Sequence, residues 1–236
     1  MPMLRPVLRL VLAVSLDGRL APPEGGAAQL GGPGDRRVLE EALAWADGCL
    51  IGAETLRRHG STCLIHAQDL RAQRSATGRS DQPVAVVVSR TATISLELPF
   101  WRQPLERWLL APPQAPPFPA FQIPYPQVPA FQVRLDWDGW ASAIDALAER
   151  GLMRLVVLGG AALAGSLLAG DWIDELQLSL CPRLLGGPYV WLPLQAAIGR
   201  GDWHLQEHRR LEGDELLLSY RRGLANPCTS SLSEMG

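Results

Sequence analysis

The chain predicts an α/β fold, a mixed and mostly parallel sheet flanked by helices and ending in an antiparallel hairpin. Three observations carry this. The runs Leu8–Val14, Cys49–Ile51, Val84–Val88, Trp108–Leu110, Gln132–Leu135 and Leu155–Leu158 are β-rich, and several are apolar at every position, as in strands covered on both faces. Helical periodicity lies between some of them, and alternation of strand with helix is the mark of a parallel sheet. The last segments, Trp203–Leu211 and Glu215–Arg222, flank Glu212-Gly213-Asp214, a glycine turn that predicts a hairpin.

Each element follows from its local sequence. Leu8–Val14 follows Arg5 like a short signal-peptide core, but it runs directly into Ser15-Leu16-Asp17-Gly18, a turn, and reads as the first strand. Asp35–Trp45 places Val38, Leu39, Ala42 and Leu43 on one stripe, with Asp35 set to cap or start the helix. Trp140–Arg150 does the same with Ile144, Leu147 and Ala148, and Leu176–Leu180 adds a later strand. Two stretches interrupt the order and read as surface loops: His66–Gln82, polar and arginine-rich, and Ala111–Pro129, rich in proline. The PxxP-like pieces of the second fit a connecting loop better than a recruitment motif. Residues 1–222 are thus expected to form one domain, and 223–236 a polar, serine-rich tail that frays.

At 236 residues, 47% hydrophobic and 19% charged, the chain has the make-up of a globular protein. A net charge of −2 gives no basic field, which argues against nucleic-acid binding. No apolar run approaches the roughly 20 residues of a membrane span, so a soluble, cytoplasmic protein is expected. All 22 basic residues are arginines. A Schiff-base or P-loop lysine is therefore impossible, and an anion must be held by arginine or by backbone N–H groups. Cys49, Cys63, Cys181 and Cys228 form no CxxC pair, so neither structural zinc nor a disulfide framework is expected. His204 and His208 lie in a strand and are read as structural.

The stretch Val156-Val157-Leu158-Gly159-Gly160-Ala161-Ala162-Leu163 sets two glycines between a strand and a short helix. It does not fit the GxGxxG dinucleotide fingerprint, because the glycines are adjacent and the next acidic pair, Asp174-Glu175, opens the following strand. What remains is a helix N-terminus whose free N–H groups and dipole favour an anion, with phosphate as the candidate and a ligand-free tight turn as the alternative.

Four blocks in order, "VLAVSLDGRLA", "GCLIGAETLRRHG", "VAVVVSRTATI" and "LVVLGGAALAGSLLAGDWIDELQLSLCPRLLGG", resemble the reductase domain of the bifunctional riboflavin-biosynthesis deaminase-reductase family. The resemblance covers most of residues 4 to 222, and the zinc deaminase half has no counterpart, so the chain resembles a stand-alone reductase domain. It implies a three-layer dihydrofolate-reductase-like fold, a homodimer, and an NADPH-dependent reductase acting on a small molecule, 5-amino-6-(5-phosphoribosylamino)uracil. Rival readings are a reductase of another pterin or heterocycle and a nucleotide-binding protein without catalysis. Carried over, the resemblance implies that Gly159, Gly160, Ala161, Ala162 and Leu163 embrace the NADPH pyrophosphate, that Val14 and Thr55 line the cofactor cleft, and that Ser89 and Arg90 hold the 2′-phosphate. Asp17 is the candidate catalytic residue, set against its role as a turn residue. Arg19, Arg57 and Arg58 are candidates for a substrate phosphate.

Departures from the family fall on the substrate side. His59-Gly60-Ser61 stands where the riboflavin enzymes carry an acidic residue before a proline, Leu158 replaces their glutamate, and Leu43 replaces their usual arginine in the first long helix. His59 and Leu158 are therefore the expected substrate-side residues, and the substrate itself is left open.

Overall fold

The computed structural model describes residues 5–26, 30–117, 131–192, 198 and 201–223. Their strands are β1 (Val7–Ser15), β2 (Gly48–Gly52), β3 (Val84–Val88), β4 (Arg107–Ala111), β5 (Val133–Asp136), β6 (Arg154–Val157), β7 (Glu175–Cys181), β8 (Trp203–Arg210) and β9 (Leu216–Arg222). They make one nine-stranded sheet in the order β5-β4-β3-β2-β6-β1-β7-β9-β8. Pairing is parallel from β5 through to β7, and β9 and β8 run antiparallel at the far edge. The expected hairpin is present, and Leu8–Val14, Val84–Val88 and Leu155–Val157 are interior strands.

Alternation along β1 assigns the layers. Leu8, Leu10, Leu12 and Val14 share a core with Ile144 and Leu147 of α4 (Trp140–Glu149) and Leu163 and Leu167 of α5 (Ala161–Ala169). Val11 belongs to the opposite core, with Ala42 and Leu43 of α1 (Pro33–Trp45), Leu56 of α2 (Ala53–His59) and Leu70 of α3 (Gln68–Ala76). Helices thus cover both faces, which is why β2 and β3 are apolar throughout.

The structure corrects two expectations. His66–Gln82 is not simply a surface loop. It contains α3, on which Arg74 is 1% exposed and donates to the carbonyls of Leu43, Ala44, Ala46 and Ser80. That guanidinium serves acceptors left open at the C-terminus of α1, so an arginine that reads as polar surface is an interior cap. Asp35 does not cap α1 either: the cap position is Gly32, and Glu215, preceding β9, accepts from the N–H groups of Gly32 at 2.6 Å and Asp35 at 3.0 Å. Long-range pairing brought a better acceptor than the local one. Leu43, wholly buried and three turns down α1, packs into the core on that face of the sheet. The proline-rich stretch beyond Pro117 and the tail beyond Gly223 lie outside the described residues.

Candidate functional site

Parallel strands deliver all their C-termini to one edge of the sheet. There β6 lies between β2 and β1, yet β1 and β2 pass to α1 and α2 on one face while β6 passes to α5 on the other. Loops that part to opposite faces leave a crevice, and in open α/β sheets this switch point is where ligands bind.

Leu158-Gly159-Gly160 occupies the centre of that crevice. Both glycines have positive φ, 79° and 84°, a conformation costly for residues with a Cβ. A Cβ on Gly159 would stand 2.6 Å from Leu12, and one on Gly160 would stand 2.5 Å from the Thr55 hydroxyl. The tight turn therefore requires glycine for the fold itself, and the same compactness brings Thr55 of α2 against the N-terminus of α5. No side chain caps that N-terminus at Gly160, so its N–H groups are available to an anion. Ala161 is partly exposed and Ala162 exposed, whereas Leu163 and Val14 are buried and supply apolar wall.

Ser89 and Arg90 follow β3 at the same edge. Ser89 is 3% exposed and its hydroxyl is buried without a hydrogen-bond partner, while Arg90 is exposed. An unpaired buried hydroxyl is costly unless something completes it.

Asp17 sits across the crevice, after β1. Its carboxylate accepts from the Ser15 hydroxyl at 2.5 Å and from the backbone N–H groups of Leu185 at 3.1 Å and Gly186 at 2.7 Å. These bonds hold its pKa down at about 2. A carboxylate so engaged is ionised at neutral pH and is a poor proton donor; its geometry makes it the clasp between the turn after β1 and the glycine turn after β7. Sequence reasoning missed that clasp, although "LLGG" at 184–187 was its available signal. Arg19 donates to the Asp17 carbonyl at 3.0 Å and keeps a buried, unpaired Nε. Arg57 and Arg58 share Glu54 as an ion-pair partner, and Arg58 also lies 5.8 Å over the Tyr189 ring.

His59 closes α2, with Gly60 left-handed behind it, and is exposed. Partial desolvation and the charge of Arg58 push its pKa below the ordinary value, which favours the neutral ring. Leu158 is half-buried and packs toward the α1 and α2 side, opposite α5. His204 and His208 are exposed on β8, far along the sheet from the switch point. Among the described residues no group of three or more His, Cys, Asp or Glu is placed to hold a metal, and no helix is long and apolar enough to cross a membrane.

This sheet order and the glycine turn at its carboxyl edge define the class, an α/β protein of dihydrofolate-reductase-like fold. A pyrimidine reductase-like protein from Corynebacterium diphtheriae superposes with a TM-score of 0.72 at 19% identity, covering 93% of this chain and 92% of that one. Dihydrofolate reductase from Enterococcus faecalis, complexed with NADP(H), gives 0.52 at 13% identity, covering 92% and 96%. The chain belongs to the RibD C-terminal domain family, whose model matches residues 6–214. The 2,5-diamino-6-ribosylamino-4(3H)-pyrimidinone 5′-phosphate reductase of Archaeoglobus fulgidus is 23% identical over 186 residues, 78% of this chain and 84% of that protein. The riboflavin biosynthesis protein RibD of Haemophilus influenzae is 25% identical over 226 residues, 91% of this chain but 58% of that longer protein.

Proposed function

We propose that this protein is an NADPH-dependent reductase of a phosphoribosylamino-pyrimidine in riboflavin biosynthesis. The observation that carries the reading is the uncapped N-terminus of α5 at the switch-point crevice, set there by the tight Gly159-Gly160 turn packed against Leu12 and Thr55, in a chain of this family. These residues fit a dinucleotide: the N–H groups of Gly160 to Leu163 would hold the pyrophosphate, and Ser89 with Arg90 would hold the 2′-phosphate, which would complete the orphaned hydroxyl.

When bound, NADPH supplies the hydride that reduces the ribosylamino carbon, as its open-chain imine, to the ribityl amine. The protein's work is to orient and to exclude water. Asp17 clasps the two turns that border the substrate side, and Leu158 gives that side an apolar wall. Arg19 is the best placed of the candidate arginines for a substrate phosphate, because its buried Nε has no partner, whereas Arg57 and Arg58 are both engaged by Glu54. The proton for the new amine comes from water or from His59, not from Asp17. The chain works as a single domain and as a homodimer, and the exposed edge strand β8 supports self-association, which light scattering would test.

Loss of NADPH absorbance on addition of the purified pyrimidine, set beside a panel of pterins and other heterocycles, tests the reading. Steady turnover of the pyrimidine above the others is expected; NADPH binding without turnover of any substrate would favour a binding protein instead. Arg90→Ala should weaken NADPH more than NADH by about tenfold or more, and equal losses for both would remove the 2′-phosphate assignment.

A further inference from the structure

We infer that Trp137 and Trp140 form the adenine-binding wall of the dinucleotide site, at the end of the crevice remote from the reacting carbon. The inference rests on the cofactor reading above. Trp137 follows β5 directly, and its backbone N–H donates to the Ala111 carbonyl, at the carboxyl end of β4, at 2.8 Å. Trp140 opens α4, and the two indoles lie 5.2 Å apart, centroid to centroid, inclined at 46°. Both are partly exposed, so aromatic surface is offered at the edge where the parallel strands end. They pack against the same core as Val88, Leu110 and Leu163, on the α4 and α5 face.

Placement supplies the rest. A dinucleotide anchored by its pyrophosphate at α5, after β6, and by its 2′-phosphate at Ser89 and Arg90, after β3, runs across the strand order β6-β2-β3 toward β4 and β5. Adjacent strands are about 4.8 Å apart, so β6 to β4 spans roughly 14 Å, a distance an extended dinucleotide covers. The base must then lie at the ends of β4 and β5, where these indoles stand. The Nε1 of Trp137 is a second sign, since it is buried with no hydrogen-bond partner. Adenosine offers a π-face and, beside it, ribose oxygens, so a modest turn of the indole on binding would stack its face on the base while its in-plane N–H donates to a ribose oxygen.

The test is calorimetric titration of 2′,5′-ADP, which carries the adenine end alone, and of reduced nicotinamide mononucleotide, which lacks it. Trp137→Ala and Trp137→Leu should each raise the Kd for 2′,5′-ADP and NADPH about tenfold, a loss typical of a stacked base, and leave the mononucleotide unchanged. Trp137→Leu keeps the apolar bulk that packs on the core, so it separates loss of stacking from loss of folding, and Trp137→Phe should restore most of the affinity. Wild-type affinity of the leucine variant for 2′,5′-ADP would overturn the inference while leaving the cofactor reading intact. Failure of the wild type to bind either 2′,5′-ADP or NADPH would overturn both.

Discussion

The hydroxyl of Thr55, on α2, lies 2.5 Å from where a Cβ on Gly160 would stand, and Gly160 itself has a φ of 84°. Two separate constraints therefore demand glycine there, backbone strain and a collision. Gly160→Ala should destabilise the protein by roughly 1–3 kcal/mol. Adding Thr55→Ala should return the share due to collision but not the share due to strain, a difference that urea unfolding of the single and double variants would measure. A double variant no more stable than Gly160→Ala would show that Thr55 is not the obstacle. Any loss of NADPH affinity in Gly160 variants has to be set against this structural cost.

Asp17 gives a pH signature. Its pKa falls from an ordinary 3.8 to about 2 because the folded state donates hydrogen bonds to the ionised form. The unfolded chain therefore takes up this proton first as pH falls, so the clasp's contribution is complete above about pH 4 and is lost on the way down to about 2. Asp17→Asn lacks that contribution, and its melting temperature should fall less steeply than the wild type's across that window. Parallel curves for the two proteins would refute the assignment. At neutral pH the same variant should lower kcat/KM by loosening the 183–187 turn, with NADPH affinity little changed.

Arg74 carries the C-terminal end of α1. Truncation to alanine leaves the carbonyls of Leu43, Ala44 and Ala46 buried without their shared donor, at roughly 1–3 kcal/mol for each group left unsatisfied. Arg74→Ala should lower the urea midpoint by the largest margin of any exchange in His66–Gln82, whereas Arg71→Ala, on the same helix but partly exposed, should cost well under 1 kcal/mol. Similar midpoints for the two would contradict the buried-cap role.

The substrate side should reveal itself through His59 and Leu158. The His59 ring should titrate below its ordinary 6.5, visible as a proton NMR midpoint, so it is neutral at pH 7 and becomes charged only in more acidic solution. If its protonated form donates to the substrate, kcat/KM should rise as pH falls through that midpoint, and His59→Ala should flatten the profile. Sites that lose a buried polar partner can relax selectivity by orders of magnitude, so wild-type turnover of the phosphoribosylamino-pyrimidine should be weak and Leu158→Glu should raise it. Efficient wild-type turnover with no effect of either exchange would mean that neither residue meets the substrate.

The sequence by itself determined the layers of this protein. Val84–Val88 and Leu155–Leu158 read as strands covered on both faces because their β-rich runs are short and apolar throughout, and the adjacent glycines at 159–160 mark a sharp junction with the helix that follows. Tertiary structure alone decided which polar groups became partners. Nothing near Asp35 announces that Glu215 will cap α1, nothing near Asp17 announces the N–H groups of Leu185 and Gly186, and nothing in His66–Gln82 marks Arg74 as interior. Each of these pairings joins residues about 30 to 180 positions apart. A carboxylate or guanidinium satisfies whichever buried N–H or carbonyl the strand order brings within reach, and only the sheet's topology fixes which one that is.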